Sequence, residues 1–236
     1  MKHIITIISL SVIFLFSCGK KGQNNQNNTN QNNTSVTDVD GNIYPTVTIG
    51  SQTWMAKNLE VTHYRNGDII PNITNQTSWD NTSLGAWCDY EHNSAYGDIY
   101  GHLYNWYTVN DPRNVAPNGW HVATRADYQL LVTYLGGTIG QEDSVAGGHM
   151  KEAGLLHWVS PNTGASNSSG FTALPAGWLE FNGFYSIFEG TIWWAVDPLT
   201  QNNASKFAYS NGAGHAGALP LMALPNAGCS IRCVKD

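Results

Sequence analysis

The chain has 236 residues and a formal net charge of −6, and only 12% of its residues are charged. Its 11 basic residues form no cluster larger than Lys20-Lys21, so the sequence lacks the basic surface of a nucleic-acid-binding protein. With 9 Trp, 11 Tyr, 7 Phe and 24 Gly, the composition indicates a loop-rich globular domain with an aromatic core.

The first 17 residues are typical of a bacterial export signal. Lys2 and His3 precede the apolar run Ile4–Phe16, which is shorter than the roughly 20 apolar residues of a membrane-spanning helix. The letters LFSCG around Cys18 resemble the lipobox, where a lipoprotein signal peptidase cuts. That resemblance implies removal of residues 1–17 and lipidation of Cys18, which anchors a chain because each buried methylene contributes about 0.8 kcal/mol. An ordinary secreted protein with an incidental cysteine is the alternative.

Residues 18–37 are predicted to form a disordered Gln/Asn-rich tether. They include GQNNQNNTNQNNTS, which has no aromatic or large aliphatic side chain and cannot bury enough apolar surface to offset the entropy of ordering. We therefore expect a folded domain at 38–236 and a location in the bacterial cell envelope, lipid-anchored to the outer membrane. Lys20-Lys21 is not the acidic cluster that accompanies surface export in some bacteria, so a periplasmic and a surface-facing domain both stay open.

The folded domain begins with alternating strand patterns. Residues 41–59 predict two short strands around a turn at Gly50-Ser51, because Val47 and Ile49 alternate with polar neighbours.

The stretch GWHVATRADYQLLVTYLGG predicts the best-defined helix. Thr124 and Asp127 have the spacing of a capping box at its start, and Gly136-Gly137 allow a left-handed C-cap at its end. Apolar residues between them recur at i, i+3, i+4 and i+7 and form one face, namely Tyr128, Leu131, Val132 and Leu135. His121, in the extended segment before this helix, is predicted to be a hydrogen-bonded structural group and not a catalyst.

The second half of the chain predicts less regular structure. A shorter helix is expected over 149–156, and the Gly, Pro and aromatic spacing of 160–197 predicts short strands joined by long loops. The final letters CSIRCVKD predict a closing strand. Two helices with short antiparallel strands and long loops make an α+β fold.

Besides Cys18, the sequence contains Cys88, Cys229 and Cys233, and exported proteins fold where disulfides form. Four residues along a strand span about 13 Å, beyond the roughly 7 Å between α-carbons that a disulfide allows, so Cys229 and Cys233 are not expected to pair. Cys88–Cys233 is the expected disulfide, with Cys229 left as a buried thiol. The pair Cys88–Cys229 stays open.

Six segments resemble, in order and spacing, the family called the Fibrobacter succinogenes major paralogous domain: DGNIYPTVTIGSQTWMAKNL, YGHLYNWYTV, NGWHVATRADYQLL, GGHMKEAG, GFTALPAGW and IRCVKD. The resemblance covers 38–236 and implies an exported bacterial protein or lipoprotein, with no established activity to carry over. It further implies a distant likeness to the C-type-lectin-like fold and to formylglycine-generating-enzyme-like domains. In that fold the terminal strands pair, so 43–49 is expected beside 230–235. The terminal cysteine is structural in those enzymes, which favours Cys88–Cys233.

No catalytic residue, metal site or cofactor is predicted. The related enzymes bind copper through a pair of cysteines upstream of the final strand, and this sequence has no such pair. It also lacks an H-E-x-x-H zinc motif and a G-x-S-x-G nucleophile elbow. The acidic segment Asp89–Asp98 carries oxygen ligands that suit calcium, but Ser94 and Tyr100 stand where an EF-hand loop requires glycine and glutamate. A solvated acidic loop is the favoured interpretation.

Aromatic residues among Gly and Asn predict a ligand-binding face, because flat apolar rings beside amides stack on sugars or hold peptide side chains. The candidates are Trp178, Tyr185, Trp193 and Trp194. In an alternating strand one of Trp193 and Trp194 points outward, although a fully buried strand is the alternative. We expect a cell-envelope lipoprotein with a non-catalytic domain that binds a glycan or envelope-protein ligand. The alternative function is a formylglycine-generating-enzyme-like oxidase or a sugar-active enzyme.

Overall fold

The computed structural model describes residues 34–138, 140–141, 145–197 and 206–236, and for 206–211 the backbone alone. The predicted signal segment, Cys18 and most of the predicted tether lie outside the described residues. The part from residue 34 onward belongs to one compact unit. No described helix is long and apolar enough to cross a membrane.

The described residues form twelve β-strands: β1 Ser35–Thr37, β2 Ile43–Ile49, β3 Gln52–Met55, β4 Trp87–Cys88, β5 Leu103–Tyr104, β6 Trp120–Val122, β7 Ala176–Glu180, β8 Gly183–Ile187, β9 Gly190–Trp194, β10 Lys206–Gly212, β11 Leu219–Ala223 and β12 Cys233–Lys235. They also form five α-helices: α1 Gln76–Asn81, α2 Ser94–Tyr100, α3 Trp106–Val109, α4 Arg125–Tyr134 and α5 Ala146–Met150. A 3₁₀ turn spans Tyr90–His92. The described chain contains both helices and mainly antiparallel strands, which confirms a fold that mixes α-helices and β-sheets.

The expectation of only two helices is wrong for the described chain. Helices α1, α2 and α3 span 6, 7 and 4 residues, which is too short for an apolar 3.6-residue period to appear in the sequence. Each begins at an asparagine whose side chain accepts a backbone N–H, namely Asn75, Asn93 and Asn105. The helix predicted over 149–156 is wrong for most of that range: α5 covers Ala146–Met150, and residues 151–156 are not helical because Lys151 adopts an extended backbone.

The first five-stranded sheet has the order β1-β2-β3-β12-β6, with every pair antiparallel. The predicted hairpin is confirmed, since Ile49 pairs with Gln52 across the Gly50-Ser51 turn. The expected pairing of 43–49 with 230–235 is corrected: β12 pairs with β3, which lies between it and β2. Strand β1 lies in the segment assigned to the tether, so the folded part already includes Ser35.

The second five-stranded sheet has the order β11-β10-β9-β7-β8, in which only β7 and β9 run parallel. These two strands pair at Gly177 and Thr191. Further along, the segment before β12 bridges both, with Gly228 opposite Leu179 and Ser230 beside Trp193. The chain that follows β11 is thereby brought next to the β7–β8 hairpin. A small third sheet pairs β4 with β5.

Helix α4 confirms the best-defined sequence prediction. Thr124 and Asp127 form a complete capping box, in which each side chain accepts from the other's backbone N–H. The predicted apolar face is buried at Tyr128, Leu131 and Val132. It packs into one core cluster with residues of both large sheets, among them Trp54 and Trp193.

Arg232, directly before the last strand, is an arginine in an apolar setting. The side chain is 1% exposed, and its guanidinium donates to Asn58 Oδ1 (2.6 Å) and to the carbonyl oxygens of Met55, Phe171 and Thr172 (2.8, 2.8 and 2.9 Å). Burial lowers the pKa of Arg232 to about 9. One side chain therefore fastens the end of β3 and the 171–172 loop to the C-terminal segment.

The expected disulfide between Cys88 and Cys233 does not form. Cys88, Cys229 and Cys233 are all free and buried. Cys229 is thus a buried thiol, as predicted, and Cys88 is bonded to neither Cys229 nor Cys233 in this structure. The reason lies in the packing, because Cys88 belongs to a small core under the β7–β8 hairpin whereas Cys229 and Cys233 belong to the main core. Burial raises the pKa of all three thiols.

Candidate functional site

Trp193 and Trp194 are not the binding residues that the sequence suggested. Both are 0% exposed, because β9 is the central strand of its sheet and both of its faces are covered. Trp193 packs edge-on against Phe171, with ring centroids 5.6 Å apart, and donates to Asn58 Oδ1 at 2.9 Å. Trp194 packs against Trp106 at 5.5 Å. The expectation that one of the pair points outward is therefore wrong.

Trp178 and Tyr185 remain available to a ligand. They are cross-strand neighbours on β7 and β8, and their rings are nearly parallel, with an interplanar angle of 22° and centroids 6.5 Å apart. Trp178 packs partly into the main core, whereas the Tyr185 side chain is 38% exposed. The exposed Tyr185 ring therefore stacks on the partly buried Trp178 ring.

The tip of this hairpin carries more exposed groups. Glu180 pairs with Gly183, so Phe181 and Asn182 form a two-residue turn. Phe181 is 66% exposed, and within the described chain neither the Glu180 carboxylate nor the Asn182 amide makes a hydrogen bond. The turn therefore presents an apolar ring between two polar groups that have no internal partner.

A cavity of about 200 Å³ lies between this hairpin and the chain after β11. We call it the hairpin cleft, lined by Glu180–Asn182, Tyr185, Met222–Leu224 and Asn226-Ala227. Met222 and Leu224 are exposed, so the cleft combines apolar walls with three polar side chains. Met222, Leu224 and Asn226 were missed by sequence reasoning, because no local pattern distinguishes LMALPNAG from an ordinary loop.

Helix α1 holds one wall of the hairpin cleft in position. The Trp79 indole donates to the Asn226 carbonyl oxygen at 2.6 Å, and the Asn226 side-chain amide donates to the Asp80 carbonyl oxygen at 3.1 Å. Gln76 also donates to the Glu180 carbonyl oxygen at 3.2 Å. Both sides of the cleft are therefore tied to the same helix, although they are more than 40 residues apart in sequence.

The comparisons with known proteins identify the family. The family model of the Fibrobacter succinogenes major domain matches residues 47–235. This chain belongs to that family. Neither the comparison with curated proteins nor that with solved structures gives a match.

In this Fibrobacter succinogenes major domain, His121 is hydrogen-bonded, as predicted. Its Nδ1 lies 2.8 Å from Asp236 Oδ1 and its Nε2 lies 3.1 Å from Asp127 Oδ2. The hydrogen bond with Asp127, followed by that with Asp236, raises the pKa of His121 against the effect of burial. The side chain links the chain end to the start of α4.

Two polar side chains of the acidic segment 89–98 make internal contacts, while Glu91 and Asp98 are exposed. Asp89 accepts from His102 Nδ1 at 2.7 Å, and Asn93 caps α2 by accepting from the Ala95 amide at 3.1 Å. Within the described chain, no group of three or more His, Cys, Asp or Glu side chains has an arrangement that holds a metal ion.

A serine and a histidine also lie together, at an open cavity of about 310 Å³ near the end of α4. His149 Nδ1 lies 2.6 Å from Ser168 Oγ. The backbone amides of residues 168–170 already donate to groups of this loop or of His149, so these three amides are not free to form an oxyanion hole. The Ser168–His149 contact fits loop packing better than acyl transfer.

Proposed function

We propose that this chain is a cell-envelope lipoprotein whose folded domain binds a glycan or protein ligand, without catalysis, at the hairpin cleft. The observation that carries the proposal is the exposed, supported ring of Tyr185 beside polar groups that lack internal partners. Binding sites combine apolar and aromatic walls with a few placed polar groups. The cleft has this composition and lies on a hairpin held by α1.

We further propose that the domain is a variant of the C-type-lectin-like fold. Its terminal strands share one sheet, and long irregular segments emerge near β7 and β8. The fold likeness supports a ligand face in this region, while the binding chemistry is argued from the cleft itself.

The copper-oxidase alternative is less well supported. Copper sites of that type need two accessible thiolates, whereas Cys229 and Cys233 are fully buried and burial raises the pKa of both thiols. A sugar-active enzyme would need a pair of carboxyl groups across the cleft, and Glu180 is the only carboxyl group that lines it. Binding without turnover is therefore the function we propose.

Replacing Tyr185 tests this function. The purified full-length chain is applied to a glycan array and to a pull-down of envelope proteins, beside its Tyr185→Ala variant. We expect at least one ligand whose binding falls tenfold or more in Y185A, because the exposed half of the aromatic pair is lost. Tyr134→Ala removes another exposed tyrosine, at the end of α4, and should leave binding unchanged.

Two outcomes would contradict the proposal. Binding that falls equally in Y185A and Y134A would not come from the cleft. Chemical turnover of a bound ligand that survives in Y185A would place an enzyme site elsewhere on the domain.

A further inference from the structure

The charge of the hairpin cleft restricts the class of ligand. Glu180 is the only acidic residue that lines the cleft, and no Lys, Arg or His lines it. An anionic ligand would meet a carboxylate without a compensating cation, and burying an unpaired charge is costly. Nucleic acids, uronic-acid polymers and sulfated or phosphorylated chains therefore do not fit.

The polar side chains of the cleft offer both hydrogen-bond donors and acceptors. One N–H of the Asn226 side-chain amide donates to the Asp80 carbonyl oxygen, whereas its second N–H and its Oδ1 make no hydrogen bond in the described chain. The Glu180 carboxylate adds further acceptor sites, since an ionised carboxylate donates nothing. A ligand that satisfies these groups carries both donors and acceptors, as the hydroxyl groups of a sugar ring do.

The apolar part of the cleft fits the face of a sugar ring. A pyranose exposes C–H groups on its faces and hydroxyl groups around its rim. The Tyr185 ring, supported by Trp178, provides a flat apolar surface for such a face. Phe181 and Leu224, which are 66% and 55% exposed, also line the cleft and add apolar surface to it.

The size of the cleft indicates a segment of a longer chain. Its volume of about 200 Å³ is below the roughly 300–1,000 Å³ of pockets that enclose a drug-sized ligand. It can therefore hold about one sugar ring, and the neighbouring rings would lie over the exposed Phe181 and Leu224 side chains.

A peptide that adds a strand to β8 is less favoured, although β8 is an edge strand. The Ser186 carbonyl oxygen accepts from the Glu189 amide at 3.1 Å, and the Phe188 carbonyl oxygen accepts from the Val159 amide at 2.9 Å. The second half of the β8 edge is thus occupied by this chain's own groups, whereas strand addition needs free backbone groups along the edge.

We infer that the hairpin cleft binds an internal segment of a neutral polysaccharide, with one ring on Tyr185 and its hydroxyl groups on Glu180 and Asn226. The inference rests on the proposed binding function and names the ligand class for the same site. Because the ligand is uncharged, its binding should depend little on salt.

Affinity electrophoresis of the full-length chain tests the ligand class. The gels contain a neutral β-1,3-glucan, a neutral β-1,4-mannan, a neutral xyloglucan or the anionic polygalacturonate, and a neutral and anionic glycan array widens the panel. We expect binding to at least one neutral glycan, with less than a twofold change in affinity between 50 and 500 mM NaCl, and none to polygalacturonate. Y185A and Glu180→Ala should each weaken it tenfold or more, while Y134A should not.

The failures of the two proposals are distinguishable. Tyr185-dependent binding to polygalacturonate, or Tyr185-dependent capture of envelope proteins with no neutral glycan bound, would overturn the ligand class and leave the binding function intact. Neutral-glycan binding that does not need Tyr185 would overturn the site. If no probe of any class binds in a Tyr185-dependent way, both proposals fall.

Discussion

Lys151 is a buried cation without a carboxylate partner among the contacts described. Its ammonium donates to the carbonyl oxygens of Gly212 (2.9 Å) and His215 (2.7 Å) and lies 5.4 Å from the centre of the Trp158 ring. Burial disfavours the charged form and lowers the pKa of Lys151 from its usual 10.5 to about 8. The lysine holds the end of β10 and the loop after it, at the cost of burying a charge.

The sign of its pH effect follows from linkage. Between about pH 8 and 10.5 the unfolded chain keeps the Lys151 proton that the folded chain has released, so stability rises with pH in this window. The free energy of unfolding of the native chain, measured relative to that of Lys151→Met, should therefore increase by about 2 kcal/mol between pH 7.5 and 9.5. Urea unfolding of both proteins at the two pH values measures it.

Lys235→Met is the matched control, because Lys235 is exposed, and its difference from the native chain should stay constant. If the difference in unfolding free energy between K151M and the native chain also stays constant with pH, Lys151 is not held as a buried ammonium.

At the scale of elements, α4 and the last strand are joined by one titratable contact. The two ring nitrogens of His121 form hydrogen bonds with Asp127 at the start of α4 and with Asp236 after β12. These carboxylates raise the pKa of His121 above 6.5. The stabilisation by the charged imidazole is therefore complete below pH 6.5 and is lost as pH rises through the raised pKa.

The destabilisation caused by His121→Gln should accordingly be larger at pH 5.5 than at pH 8.5. The pH-dependent part is expected to stay below about 1 kcal/mol, since the imidazole is partly exposed and its ion pairs are screened by water. Urea unfolding at a series of pH values measures it. A destabilisation that grows with pH would contradict the charge state we assign.

Thr124→Ala is a useful comparison at the same helix end. It removes a capping hydroxyl without removing a titratable group, so it should cost about 1 kcal/mol throughout pH 5.5–8.5, above the lowered pKa of Asp127.

The same elements show why some sequence predictions succeeded and others failed. Helix α4 was predicted correctly because its cap and apolar period are local signals of ten residues. The exposure of Trp193 and Trp194 depends on what covers each face of β9, and two different core clusters do so. Alternation along a strand assigns side chains to opposite faces, but it does not say that either face meets solvent.

At the scale of the whole molecule, the main expectation concerns the anchor. If Cys18 carries lipid, radiolabelled palmitate should enter the native protein and not a Cys18→Ala variant, and the variant should move from the membrane to the soluble fraction. The reason is that the acyl chains supply the binding energy, whereas no described helix is suited to span a membrane. Protease treatment of intact cells then distinguishes a surface-facing from a periplasmic domain.

Equal membrane association of C18A and the native protein would contradict lipid anchoring through Cys18. A Cys229→Ala variant, which alters a thiol of the buried core, is the control and should keep its palmitate label.

Sequence patterns alone were enough to predict the family, the β2–β3 hairpin, helix α4, the closing strand and the hydrogen-bonded state of His121. Each of these rests on neighbouring residues or on the order of motifs along the chain. The sequence also identified Tyr185 and Trp178 as candidate ligand residues, since their composition and setting are local.

The packing of the folded chain was needed to show which aromatic rings face solvent, which cysteines lie in the same core and which residues form the second wall of the hairpin cleft. Cys88 and Cys233 lie in separate cores, and Asn226 reaches the hairpin through contacts with α1 and the Gly228–Leu179 bridge. Such contacts join residues that are distant in sequence, and they are selected by the packing of the whole core. No local periodicity or spacing encodes them, so they became visible only once the chain was folded.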